Sequence, residues 1–244
     1  MSRYIAADMS RILRKISHWV MVAIVLYFVA DSSTVSTLET GFDMASMLQS
    51  MFKYMCVPCG FFAILYVFLE DFKGKTAQIA IGVGISRVQV VFAKWIETVI
   101  LSAIDTFIWL FGAILASAFT NGAFTMNTIP KILLTGLMSV IATSVYIAFV
   151  MIIMIPTRGT TFALLVFIFM STGLIAKGMG YLVLFKPIQK LHIISVLPTN
   201  LISVCRSRMI LGSFAPLHWL GLIIEIALFL GITILIYRKQ ELEF

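Results

Sequence analysis

The sequence predicts an all-α integral membrane protein: about six transmembrane helices, an N-terminal interfacial helix, and an outer re-entrant hairpin before the last span. Three observations predict it. Of 244 residues, 61% are hydrophobic and only 12% charged, about half the charged share of a soluble domain and too little for a water-facing shell. Apolar runs of about 20 residues, the length that crosses a bilayer, use up nearly the whole chain. Residues 1–244 therefore read as a single transmembrane domain. Lys and Arg, finally, gather in alternate connections, as the positive-inside bias requires.

Residues 2–16 place Ile5, Met9, Ile12, Leu13 and Ile16 at helical spacing, with Arg3, Arg11, Arg14 and Lys15 on the remaining faces. This is an interfacial helix with its basic side chains toward lipid headgroups. No small-residue cleavage site follows the next apolar run, so it reads as a retained first span, from about His18 to Asp31 and longer if Ser32–Val35 belong to it. An outer loop without Lys or Arg runs through Asp43. The second span covers roughly Met47 to Leu69, with Pro58 as its kink. Residues 70–94 form the longest inward connection, carrying Lys73, Lys75, Arg87 and Lys94 among Gly74, Gly82 and Gly84. The third span follows from about Trp95 to Ala118.

A second outer loop, Thr120 to Ile129, ends at Pro130. The fourth span runs from about Ile132 to Ile155, and Pro156-Thr157-Arg158-Gly159-Thr160 makes a tight inward turn. The fifth starts near Thr161 and turns Gly-rich by Lys177-Gly178-Met179-Gly180. The last covers about Leu217 to Tyr237 and stops at Arg238-Lys239. The first two outer loops hold no Lys or Arg, with Lys53 and Lys131 at their margins, so both termini fall on the inner side. One segment departs from the rule. Residues 177–216 carry Lys177, Lys186, Lys190, Arg206 and Arg208 but fall outside. Either they form a re-entrant hairpin, or they hold a seventh span that moves the C-terminus out. The hairpin is preferred because neither apolar stretch reaches spanning length.

Several chemistries are excluded. The net charge of +7 is spread among apolar runs, which argues against nucleic acid as a partner. Cys56-x-x-Cys59 has no second pair or nearby His to complete a zinc site, and His18, His192 and His218 lack ligand spacing, so no metal is expected. Gly74-Lys75-Thr76 resembles the end of a phosphate loop, but position 69 is Leu69; Gly82-x-Gly84 lacks its third glycine, since position 87 is Arg87. Without a full Gly-rich turn the amides cannot cradle phosphates. No catalytic constellation appears, and no cofactor is expected on this chain.

The informative polar residues are acids inside spans. Asp105 lies 11 residues beyond Lys94, roughly 16 Å deep by the helical rise, with Thr98, Ser102, Trp109 and Gly112 on its face. Glu225 lies roughly 12 Å into the last span, with Gly221 and His218. Charge at such depth costs at least a few kcal/mol and faces a bundle interior or cavity. Gly136, Ser139, Thr143 and Tyr146 add a small-polar stripe. Two readings stand: a polar substrate path or proton-sensitive pair, or helix–helix packing and hydrogen bonding.

The arrangement resembles the membrane subunits of ABC exporters of the type-2 permease class, nearest the bacitracin-resistance and lantibiotic-immunity branch. The match rests on the interfacial helix with Asp8, Arg11 and Arg14; on Glu70-Asp71-Phe72 with Gly74 and Thr76, then Ile85-Ser86-Arg87 and Lys94; on six spans; and on Leu197-Pro198-Thr199 before the last span. It covers almost the whole chain and departs from the common pattern at the basic Lys75. The resemblance implies a multi-pass protein of the bacterial cytoplasmic membrane, pairing with a second permease subunit, alike or different. It also implies cytoplasmic ABC ATPase subunits, which hold the ATP and Mg. Asp8, Arg11, Glu70, Asp71, Lys73, Gly74, Lys75, Thr76 and Arg87 then fall on the surface coupled to the ATPase, and the amphipathic substrate, such as an antimicrobial peptide, moves outward. Met- and Phe-rich spans offer that substrate an adaptable apolar surface, although such residues equally serve membrane packing.

Two rivals remain. One is a secondary transporter or channel using Asp105 or Glu225 as an ion or proton site, against which no paired internal repeat is evident. The other is a structural or sensory membrane subunit.

Overall fold

Long runs of Leu, Ile, Val, Phe and Ala leave the backbone to satisfy its own hydrogen bonds, which in lipid only a helix or a closed barrel can do. A computed structural model describes residues 1–38, 54–74, 76–119, 129–175, 177–178, 197–213 and 215–239. All regular structure among the described residues is helical. Among the described residues, three helices are long and apolar enough to cross a membrane. The chain is an all-α protein of membrane character.

α1 (Ser2–Leu13) is amphipathic and buries Met9, Ile12 and also Asp8. Arg14 and Lys15 break it from α2 (Ile16–Leu38), so Ile16, expected on the apolar face of the first helix, instead starts the second and is 80% exposed. α2 has 23 residues, roughly 35 Å by the helical rise, which resolves the first span's far boundary in favour of including Ser32–Val35. α3 (Cys56–Ala63) carries Pro58 and follows a turn at Met55. It passes into a π-helical turn, Ile64–Leu69, then α4 (Glu70–Gly74) and α5 (Thr76–Gly82). Gly84, at φ +103°, turns the chain into α6 (Arg87–Phe119). The third helix thus begins at Arg87, eight residues before the expected Trp95, and the inward connection is an elbow of two short helices.

α7 (Ile129–Thr157) is the central helix. Its spanning window is 78% buried, against 17% for α10 (Pro216–Lys239). Pro156 lies in its last turn, and Arg158, at φ +48°, makes the expected tight turn. α8 (Thr161–Ser171) is short and breaks at Thr172-Gly173, where Gly173 has φ +75°. α9 (Pro198–Ile210) packs on α7 and α10. At 13 residues, or roughly 20 Å, it is too short to span a core of about 30 Å. Lys53, Lys75, most of both outer loops, and residues 179–196 with Lys186, Lys190 and His192 lie outside the described residues.

Candidate functional site

α1, the elbow, the α7–α8 turn and the C-terminal end of α10 meet at one end of the bundle. Arg87 helps hold them there: its Nη1 donates to the carbonyls of Tyr237 at 2.8 Å and Arg238 at 2.9 Å, and its guanidinium lies over the Tyr237 ring. Those carbonyls are the unsatisfied last acceptors of α10, and a cation there also meets the negative end of the helix dipole.

At this elbow end lies an ionic cluster centred on Lys94, whose ammonium is almost completely buried. Lys94 Nζ is 2.5 Å from Asp8 Oδ2, 3.1 Å from Glu97 Oε2 and 3.3 Å from Asp71 Oδ1, and sits 5.2 Å from the centre of the Tyr4 ring. Arg11 pairs with Asp8 and, at 2.8 Å, with Glu70, which also pairs with Lys15. One buried cation thereby joins the first helix, the elbow and the base of α6. The helical spacing makes this possible. Asp8 and Arg11 are one turn apart on α1, as are Lys94 and Glu97 on α6.

The two aspartates differ. Burial pushes the Asp8 carboxyl up, but the Lys94 ammonium and hydrogen bonds from Lys94 and Arg11 outweigh it and hold the carboxyl below its ordinary range. For Asp71 burial wins over the more distant Lys94, and its carboxyl is raised. The geometry supplies the reason: Asp8 receives two cations at hydrogen-bond distance, whereas Asp71 faces Lys94 at 3.3 Å. Burial likewise pushes the Tyr4 hydroxyl up to about 12.

The residues expected on a coupling surface therefore separate. Asp8 and Asp71 turn inward, and Arg11 and Glu70 pair with each other. Arg11 and Lys15, expected to face lipid headgroups, both reach the Glu70 carboxylate across from α1 on the elbow. Lys73 and Gly74 are exposed, and Thr76 is half-buried. Exposed apolar side chains, Ile79 at 61% and Val83 at 82%, mark the elbow tip.

The expected polar path separates too. Thr98, Ser102 and Thr143 donate to carbonyls of their own helices, those of Trp95, Val99 and Ser139. Such back-bonding satisfies a hydroxyl locally. The Ser139 hydroxyl is buried with no hydrogen-bond partner among the described residues, and Glu225 is half-buried with one carboxylate oxygen in the same state. Gly112 and Gly136 serve close packing, against Leu26 and Leu110. Asp105 has a different neighbour. His18 Nε2 is 3.4 Å from its Oδ1, and both residues are fully buried. His18 also packs edge-on against Tyr66, while Trp109 Nε1 donates to the Val22 carbonyl at 3.0 Å and Cys59 Sγ lies 3.2 Å from Thr106 Oγ1.

The importance of Lys94, Glu97, Tyr4 and His18 was not visible from sequence spacing. Lys94 reads there as one more inward cation, and His18 as an isolated imidazole; the only available signal was an acid and a base one turn apart at the base of a span. Cys56, Cys59 and Cys205 are free thiols, and no cluster of metal-ligating side chains occurs among the described residues. A scan against protein-family models and a search of curated proteins find no match to this chain.

Proposed function

We propose that this chain is the membrane-spanning subunit of an ATP-driven ABC exporter of the type-2 permease class. In this reading six spans cross the bacterial cytoplasmic membrane and both termini lie inside. A second permease subunit completes the pathway, and ATPase subunits on the inner face carry the ATP and Mg. The substrate is amphipathic, of the antimicrobial-peptide kind, and moves outward.

The observation that carries this reading is the Lys94 cluster. It ties α1, the elbow and α6 into one body, so that a push on the elbow tip is passed to a long apolar helix. Packed elements with two discrete arrangements convert such a displacement into alternating access. Asp8 and Asp71 then serve as internal struts, and Lys73, Gly74, Ile79 and Val83 are the surface offered to the motor. The test co-expresses the chain with its ATPase and follows export and ATP hydrolysis together. The Glu70→Lys chain is expected to insert and hydrolysis to continue while export falls; normal export by that variant counts against the proposal.

A second reading draws on the buried His18–Asp105 pair, an ionisable couple of the kind that marks proton pathways. Transport by the purified chain in vesicles without any ATPase would favour it, and an absolute requirement for added ATPase would remove it.

A further inference from the structure

Beside the Tyr146 side chain of α7, a cavity of about 230 Å³ opens between α3, α7, α8 and α9. Its level follows from the helices that border it. Tyr146 lies 11 residues before the elbow end of α7, and the 11-residue α8 rises from that end to Ser171; each distance is roughly 16 Å. α8 breaks there, and α9 begins with its first turn, Thr199 and Asn200, on the cavity wall. The cavity therefore sits near half depth, where one helix stops and another starts.

Two features are costly unless they have a use. Interrupted backbone at membrane depth is tolerated only where protein or a water-filled cavity covers it. Cations at that depth are expensive and mark sites by default. Arg206 of α9 and Lys177, just beyond the α8 break, both line the cavity, and no carboxylate is among its lining residues. Neither side chain makes a salt bridge among the described residues. Arg206 stands two turns into α9, and its long side chain leans back toward the helix start. The positive end of α9, the guanidinium fork and the ammonium thus converge on one polar space.

We propose that this cavity is an anion site that takes the phosphate or carboxylate group of an amphiphile. Its size supports a headgroup and not a whole peptide, since pockets for drug-sized ligands run about 300–1,000 Å³. Broken helices meeting near the midplane present helix ends to ligand charge in the same way in other transporters. The site also gives Lys177 and Arg206, which the positive-inside rule leaves unexplained, a reason to be there. It rests on the exporter reading for its role as a substrate contact, but not for binding itself.

The experiment uses the full chain in detergent without any ATPase, so its outcome is separate from that of the export assay. Thermal unfolding is followed against inorganic phosphate, short-chain phosphatidylglycerol and short-chain phosphatidylcholine. Phosphatidylglycerol is expected to raise the unfolding temperature and phosphatidylcholine not to. Arg206→Gln should weaken the anionic ligand roughly tenfold or more, as loss of a charged hydrogen bond does, while Arg206→Lys keeps most of the affinity and Arg208→Gln, on an exposed face of α9, keeps all of it. Binding of phosphate alone, lost in Arg206→Gln, supports the site with a free anion as its source; binding of phosphatidylglycerol only supports a lipid or amphiphile. Equal response to the zwitterionic lipid, no response to any probe, or equal loss in Arg208→Gln overturns the proposal. Should Arg206→Gln not fold, Lys177→Gln is expected to weaken the same ligand, and an unchanged affinity there overturns it too.

Discussion

Removing the Lys94 ammonium leaves Asp8, Asp71 and Glu97 facing one another with no buried cation between them. Breaking a buried pair from one side costs about 3–5 kcal/mol, so Lys94→Met is expected to lower the unfolding temperature in detergent far more than Lys73→Met, whose side chain is exposed. The aspartates differ in sign. Because Asp8 is held below its ordinary value of 3.8, its contribution is fully present above that pH and is lost as pH falls through the lower folded value. Asp8→Asn should cost about 1–3 kcal/mol at neutral pH and flatten the acid limb of the stability profile. Asp71, held above its ordinary value, gains nothing from ionising on folding, and Asp71→Asn should cost less than half as much. Equal losses for the two variants, measured by thermal unfolding across pH, would contradict the geometry.

Among the elements, the π-helical turn Ile64–Leu69 directly precedes Glu70 and Asp71. It adds backbone per turn just before the two acids that meet α1 and α6. An alanine inserted between Leu69 and Glu70 should rotate the acids by about 100°, away from Arg11 and Lys94. The loss of stability should then approach that of Lys94→Met, with the protein still inserted. The approach of α3 to α8 is set by Gly60, where an added Cβ would run into the fully buried Phe167 ring. Gly60→Ala is expected to cost about 1–3 kcal/mol as overpacking, and Phe167→Leu to recover most of it in the double variant. A double variant no more stable than Gly60→Ala would place the strain elsewhere.

Across the whole molecule, buried area is unevenly distributed. α7 is enclosed, while α10 exposes Leu217, Leu220, Ile223, Ile224, Leu228 and Leu235. In lipid such a stripe has no penalty to avoid, so truncations there should change unfolding temperature little, unlike truncations on α7. Orientation can be read from the two ends. Arg87 bonds the C-terminal carbonyls of α10, so the elbow shares that end, and Leu211, before α10, belongs to the other. Under the exporter reading, Val83→Cys should react with an impermeant maleimide only in inverted vesicles and Leu211→Cys only in right-side-out ones. Labelling of Val83→Cys from outside would reverse the assignment.

Helical class and membrane character were legible in the sequence, because they depend on composition and period, which each segment carries by itself. The amphipathic α1, the tight turn at Arg158 and the shortness of the stretch around Pro198 followed from local rules and hold in the structure. Partnership was not legible. Asp105 was visible as a costly acid, but His18 stands 87 residues away in the sequence, on a helix whose register against α6 depends on side-chain packing. Lys94 looked like a loop cation until α6 was seen to begin at Arg87 and to carry it into the bundle. Hydropathy is additive along a chain, so sequence determines membrane character; which helix is enclosed and which ions pair depend on which faces of distant helices meet, and only the tertiary structure decides that.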